Sequence, residues 1–318
     1  MNNAAFDVRP LSVGAEILSL DQNAPLSVAT REALYAAWLE YGILLFHGVD
    51  SNERHIELSR VFGDLELHPF PEIRYKEEPL FIELGAKSPG NVYIFDGSDM
   101  RAGRLPWHRD TAFTRDICKG AMLRLINVPP VGGETMLADT ALAYDALPDV
   151  MKQRLEGLEY KATLRLGPET QSGAGSFWTS VRRPTPEECP DGTYEPDVAS
   201  RYPAVIHPAL LTHPESGRKC LFLSPTYVDY FLGMPQEESD ELLDALTKQM
   251  TAPEFTYKHF WAPNDAILWD NRRFIHAAMG HDPKYRRWGL RTTLAGPVQT
   301  GRFFDPTATE WTGLAVAD

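Results

Sequence analysis

The 318-residue sequence is poor in cysteine. Cys118, Cys189 and Cys220 are an odd set with no C-x-x-C spacing, which excludes a disulfide frame and a cysteine zinc site and reads as reduced thiols in a cytoplasmic protein. No apolar run is long enough to span a bilayer, so no membrane partner is expected. The N-terminus lacks a basic segment followed by an apolar one, which argues against a secretory leader. Positive charge is also short: 31 Lys and Arg face 44 Asp and Glu, a formal net charge of −13. Nucleic acid is therefore not an expected partner, because phosphate binding needs a basic face. Local arginines can still hold a small anionic substrate. Internal repeats and low-complexity segments are missing too.

What is present is a series of short strand-like runs with few helices. Ser27 caps a predicted helix through REALYAAWLEYG, with Leu34, Trp38 and Tyr41 on one face, and Gly42 ends it before the buried strand ILLFHG. Ser51 caps a second helix, carrying Ile56, Leu58 and Phe62. Residues 65–80 read as a loop. TALAYDALPDVMKQRLEGL predicts one or two helices broken at Pro148, and PQEESDELLDALTKQM a helix with Leu242, Leu243 and Leu246 inward. AVIHPALLTHPESGRKCLFLS reads as a hairpin with HPESGRK as its turn. The pattern predicts a single, mainly β domain over 1–318 with α decoration, its core a double-stranded β-helix, the cupin-like jelly roll. Residues 166–203 are rich in Gly, Pro, Ser and Thr and read as a lid-like excursion.

The motif with most chemistry is His108-Arg109-Asp110 in LPWHRDTAF. On a strand, side chains two apart share a face. Far downstream, His276 in WDNRRFIHAAMG offers a third ligand. Two imidazoles and a carboxylate on one side of a metal make the facial triad of non-haem Fe(II) oxygenases, which leaves positions open for co-substrate and O2. His55-Ile56-Glu57 falls on a predicted helix, where such residues diverge by about 200°. His213-Pro214-Glu215 falls in the predicted hairpin turn and reads as solvated. His47, His207, His259 and His281 have no carboxylate at the right offset. The local alternative for His108 and Asp110 is a hydrogen-bonded pair at a strand edge.

Two arginines favour the metal reading. A triad metal can chelate a 2-oxo acid through its keto oxygen and C1 carboxylate. The distal carboxylate of 2-oxoglutarate would then be buried and need a bidentate cation. Arginine suits that better than lysine, and Arg287 and Arg291 follow His276 in RWGLRTTLAG.

With these pieces in place, the chain resembles the taurine dioxygenase / 2,4-dichlorophenoxyacetate dioxygenase (TauD/TfdA) family of Fe(II)- and 2-oxoglutarate-dependent oxygenases. The matching motifs are Trp107-His108-Arg109-Asp110, Gly132-Gly133-Glu134-Thr135, Trp269-Asp270-Asn271-Arg272 leading to His276, and Arg287, Arg291, Thr293 and Gly296. GAEI, YGILLFHGV and FGDLELHP near the N-terminus are also similar to family segments. The resemblance implies that His108, Asp110 and His276 ligate iron. It implies that Thr135 and Arg287 hold the C5 carboxylate of 2-oxoglutarate, with Arg291 near its C1 carboxylate and the substrate's acidic group. His68 and Tyr227 correspond to substrate-pocket positions, Tyr227 otherwise reading as a core aromatic and His68 as a loop histidine. A homo-oligomer, dimer or tetramer, is the family-level expectation.

Two departures from the family pattern bear on the substrate. Arg104-Leu105-Pro106 precedes Trp107, where taurine dioxygenase has an asparagine in its sulfonate pocket. The 166–203 excursion, with Phe177, Trp178, Arg182 and Arg183, is also unlike that enzyme. Both argue against taurine itself, and the aromatic and basic residues of the excursion suggest a larger anion, aromatic among the options, contacted by Phe177 and Trp178; the plainer reading of that segment is a surface insertion or subunit contact. With Asp110 in place, halogenation is not expected. Two other classes compete: a zinc hydrolase using the same three ligands, and a non-catalytic cupin-like binding protein.

Overall fold

The computed structural model describes residues 5–85, 91–171, 180–190, 199–296 and 299–309. Phe177 and Trp178 lie outside the described residues. Two antiparallel-rich sheets carry the functional elements. The larger has eight strands, with Ile43–Phe46, Ala266–Asp270, Gly120–Asn127 and Trp288–Leu294 adjacent in that order. The smaller has six, with Val92–Phe95, Asp99–His108, Phe274–His281 and Thr135–Asp139 at its centre. The turn at residues 271–273 passes the chain from one sheet to the other, so two distant sequence regions meet between them. This is the mainly β, jelly-roll architecture expected.

The central strands of the larger sheet are apolar on both faces because each face is covered. Leu44, Phe46, Met122 and Leu268 pack under the helices Val28–Tyr41 and Asn52–Phe62, while Leu45, Leu123, Ile267 and Trp269 form a second cluster. Both helices start as their sequences dictate: the Ser27 hydroxyl accepts from the Thr30 N–H and the Ser51 hydroxyl from the Arg54 N–H. Gly42, at φ 74°, closes the first helix in the left-handed conformation. The break at Pro148 yields two helices, Thr140–Asp145 and Asp149–Leu155. Gln236–Met250 buries Leu242 and Leu246.

Four local expectations need correction. Residues 65–80 are not wholly loop, since Leu65–Glu66 pairs with Thr293–Leu294 at the sheet edge. Only Leu210–Thr212 and Lys219–Leu221 form the expected hairpin; Val205–Pro208 pairs instead with Glu159–Ala162. His213 is not solvated: it is 3% exposed, and its Nε2 lies 2.9 Å from Asp270 Oδ2. A carboxylate as buried as Asp270 needs several polar partners, and the hairpin turn supplies one of them. Finally, the strand carrying the H-x-D motif ends at His108, and Asp110 opens a turn in which Thr111 has φ 54°. Strand alternation therefore does not bring Asp110 beside His108; a turn does.

The strand pairing also shows how Pro106 is tolerated. His276 pairs with His108 and Ala278 with Leu105, so the Asp99–His108 strand carries one extra residue between these pairs. Such a bulge suits a proline, which cannot donate to the ladder. It leaves the Pro106 carbonyl free to accept from His108 Nδ1 at 2.8 Å.

One glycine fixes where the arginine-bearing strand begins. Gly85 has φ 79°, and a Cβ there would stand 1.8 Å from the Arg287 carbonyl oxygen. Gly97 has φ 87° with nothing within 4 Å of the same added atom. Gly97→Ala should therefore cost only the left-handed penalty, roughly 1–2 kcal/mol. Gly85→Ala should cost measurably more in a urea unfolding curve. Equal losses in the two variants would contradict this close approach.

Candidate metal and co-substrate site

The site begins with a register match. His276 and His108 are direct partners across adjacent strands, and their ring centroids lie 4.2 Å apart. Asp110 curls in from the following turn, its carboxylate oxygens 3.8 Å from His108 Nε2 and 3.8 Å from His276 Nε2. One ligand atom from each of the three lies within 4.8 Å of the others, and all three residues are buried. Among the described residues this is the one such group of three.

The donors fit a divalent cation. Asp110 Oδ2 is buried with no hydrogen-bond partner. The His108 Nδ1–H donates to the Pro106 carbonyl, which leaves Nε2 with a lone pair facing Asp110. Burial holds both imidazoles below their usual range, and for His276 the neighbouring His108 adds to this, while Asp110 opposes it in both. Both are therefore neutral, the form that ligates. Burial alone would raise the Asp110 carboxyl, but the Arg291 guanidinium hydrogen-bonded to it outweighs burial and holds it below the usual carboxylate range. Two nitrogens and one anionic oxygen suit a first-row divalent metal.

The remaining motif residues hold this geometry. Asn271 accepts from the Asp110 N–H at 3.0 Å and donates to the Asp110 carbonyl at 2.9 Å, pinning the turn at both backbone groups. Asp270 accepts from the Arg272 guanidinium at 2.8 Å and 3.0 Å, and His213 lies beside it. Arg273 pairs with the fully buried Asp139. Arg109 points away from the triad. Its guanidinium donates to the carbonyls of Asn271, Phe274 and Leu221, and its backbone N–H to the Ser224 hydroxyl at 2.9 Å. Trp269 packs against the His276 ring at 4.8 Å. These supporting roles were missed from sequence. The WDNR run was visible, but which residue would touch which group depends on a turn between two sheets.

The expected arginines approach from the larger sheet. Arg291 donates through Nη1 to Asp110 Oδ1 at 2.7 Å, while its buried Nε and Nη2 have no hydrogen-bond partner. Arg287 is 8% exposed; its Nε donates to the Gly133 carbonyl at 3.1 Å, and no described carboxylate pairs with it. Burial lowers it only to about 10, so it stays cationic at neutral pH. Thr135 lies on the neighbouring strand to His276, its Cα opposite Ala278, and its hydroxyl accepts from Trp261 Nε1 at 3.1 Å. A buried guanidinium with no ion-paired carboxylate among the described residues, held along the same short segment as a buried hydroxyl, could receive a carboxylate.

The two weaker expectations are also brought to the site. His68 is buried, and Arg291 and Asp110 both act on it electrostatically. Burial, reinforced by Arg291, takes it down to about 3, so it is neutral. Its Nδ1 accepts from the Phe70 N–H at 3.1 Å, which puts the ring proton on Nε2. The Tyr227 ring lies 6.4 Å from that of His108, edge to face. Beyond it an aromatic wall continues: Phe113 is 5.3 Å from Tyr227, 5.0 Å from Tyr202 and 5.6 Å from Phe70.

Known proteins resemble this chain over most of its length. The model of a family described as "Taurine catabolism dioxygenase TauD, TfdA family" matches residues 7–293. An (S)-phenoxypropionate/alpha-ketoglutarate-dioxygenase from Sphingobium herbicidovorans is 32% identical over 299 residues, covering 92% of this chain and 96% of that protein. An alkylsulfatase from Acinetobacter baylyi is 29% identical, covering 91% and 84%. The crystal structure of a taurine dioxygenase from Burkholderia xenovorans superposes with a TM-score of 0.74 at 24% identity, over 97% of both chains.

Two sets of variants test the geometry. His108→Ala, Asp110→Ala and His276→Ala should each abolish tight Mn(II) binding by calorimetry while the far-ultraviolet dichroism stays native. Retention of tight binding in any one would remove that residue from the metal site. Arg287→Ala should weaken 2-oxoglutarate binding to the metal-loaded protein by roughly 30- to several-thousand-fold, since loss of a buried charge partner costs about 2–5 kcal/mol. An unchanged affinity would move the anchor to another cation.

Proposed function

The chain belongs to the TauD/TfdA family and is an Fe(II)- and 2-oxoglutarate-dependent dioxygenase, and from that premise we propose that it hydroxylates a small organic anion with an aromatic body. His108, Asp110 and His276 would hold the iron. Thr135 and Arg287 would hold the C5 carboxylate of 2-oxoglutarate, and Arg291 would stand near its C1 carboxylate. The overall conversion takes one O2, one 2-oxoglutarate and one substrate C–H to succinate, CO2 and the alcohol. Bound Fe(II) supplies the oxidising chemistry; the protein supplies position and exclusion of water. The same site carries the alternatives of a zinc hydrolase and a cupin-like binding protein less well, because neither calls for a buried cationic anchor at Arg287.

The observation that carries the substrate class is the wall of Tyr227, Phe113, Phe70 and Tyr202 beside His108, with the His68 Nε2–H as a polar group in the same region. An aromatic ring would pack on that wall while His68 and Arg291 orient an acidic group. The phenoxypropionate-oxidising relative carries these same chemical elements in its substrate's name. If the hydroxylated carbon bears an ether, amine, sulfonate or sulfate group, the product can collapse with cleavage of that C–O, C–N or C–S bond.

The 166–203 excursion would act as a lid on this side. One described end meets the wall, since Tyr202 belongs to the aromatic cluster; at the other end Gln171 accepts from Arg104 at 2.7 Å. Contacts from Phe177 and Trp178 remain part of the proposal. A cytoplasmic homo-oligomer, dimer or tetramer, without nucleic-acid or membrane partners completes it. The described cysteines are free, and no described helix is long and apolar enough to cross a membrane.

The test is a panel of aryloxy carboxylates and alkyl sulfates incubated with Fe(II), 2-oxoglutarate and O2. Aryloxy acids should stimulate succinate formation and release the phenol in equal amount. Phe113→Ala should raise the KM for the aryloxy acid about tenfold or more and leave that for 2-oxoglutarate unchanged; loss of a packed aromatic is worth a few kcal/mol. Stimulation by alkyl sulfates alone would overturn the aromatic assignment.

A further inference from the structure

Trp261 was not singled out by its sequence. It follows the strand Thr256–His259, whose His259 pairs directly with Thr135. Its indole N–H donates to the Thr135 hydroxyl at 3.1 Å. The indole is itself braced. It meets the His259 ring edge to face at 4.5 Å and 87°, and His259 is held between the Tyr257 hydroxyl at 3.1 Å and Asp265 Oδ2 at 3.2 Å.

The direction of that hydrogen bond matters more than its strength. Indole N–H is a donor only, whereas a threonine hydroxyl has one proton and two lone pairs. Having accepted from Trp261, the Thr135 hydroxyl must offer its proton elsewhere. No second partner of that hydroxyl exists among the described residues, and the Arg287 guanidinium runs along Gly133, two residues before it. A group here that can only accept, such as a carboxylate, completes both residues. An uncommitted hydroxyl could instead rotate and turn a lone pair towards the pocket, which would repel an anion.

We propose that Trp261 is a positioning residue for the co-substrate: its N–H fixes the Thr135 hydroxyl as a donor towards the distal carboxylate held by Arg287. This rests on Thr135 and Arg287 forming the anchor. Trp261 acts only through Thr135 and touches neither the metal nor the reacting carbon.

The test measures 2-oxoglutarate binding to Mn(II)-loaded protein by calorimetry, without turnover. Trp261→Phe keeps a ring against His259 and removes the N–H; Trp261→Tyr replaces it if the phenylalanine variant fails to fold. The substitution should weaken 2-oxoglutarate binding about tenfold, with Mn(II) affinity and thermal midpoint near those of the parent. Thr135→Val should weaken binding by at least as much, and adding Trp261→Phe to it should change little more. That non-additivity is what a packing role would not produce. An unchanged affinity in Trp261→Phe, with Thr135→Val impaired, would overturn the proposal and leave the anchor standing. Equal losses from Trp261→Phe in the parent protein and in the Thr135→Val variant would also overturn it, as action through packing. Wild-type affinity in both Thr135→Val and Arg287→Ala would instead remove the anchor itself, and the proposal with it.

Discussion

Everything at this site depends on keeping one buried carboxylate charged. Asp110 lies between two sheets at 6% exposure, where burial favours the neutral acid. A protonated Asp110 would be a poor metal ligand. The structure opposes burial with charge: the Arg291 guanidinium reaches from the larger sheet to Oδ1, while the two neutral histidines stand 3.8 Å from the carboxylate. Oδ2 is left without a partner, the atom a cation would complete. The same pair brings the second sheet to the triad, so the triad and Arg291 are one electrostatic unit.

Holding that unit in place falls to the turn between the sheets. Each residue of Trp269-Asp270-Asn271-Arg272-Arg273 performs a different task. Trp269 backs His276, Asn271 clamps the Asp110 backbone, and Asp270 ties the turn to Arg272 and His213. Arg273 fastens it to Asp139. Buried polar groups are costly unless paired, and here each described partner is also a geometric constraint on a ligand. The positions of the triad atoms are therefore set by hydrogen bonds between residues far apart in sequence, 161 positions in the case of Asn271 and Asp110, rather than by the flexibility of the H-x-D turn.

That division explains what could be read in advance. That His108, Asp110 and His276 cluster was legible because a metal site demands those residue types in short local motifs, Arg287 and Arg291 were candidates because a buried carboxylate demands a cation, and Thr135 was a candidate through the family resemblance alone. The fold class was legible because many short apolar strands with few helices leave few other architectures. The route by which Asp110 reaches His108 was not: period-two alternation suggested a shared strand face, whereas a turn and the Asn271 clamp do the work. His213 was misread because its burial follows from Asp270, which is remote in sequence. Trp261 was invisible for the same reason; its significance depends on one hydrogen bond across a strand pair.

The central claim is that His108, Asp110 and His276 form one metal centre and that Thr135 and Arg287 receive the distal carboxylate of 2-oxoglutarate beside it. Crystals grown without oxygen, with Mn(II) and 2-oxoglutarate, test it most directly through the manganese anomalous signal. The account predicts a single strong peak within coordination distance of His108 Nε2, Asp110 Oδ2 and His276 Nε2, with the C5 carboxylate on Arg287 and the Thr135 hydroxyl. A peak bound by other residues, or 2-oxoglutarate turned so that its C5 carboxylate leaves Arg287, would contradict it.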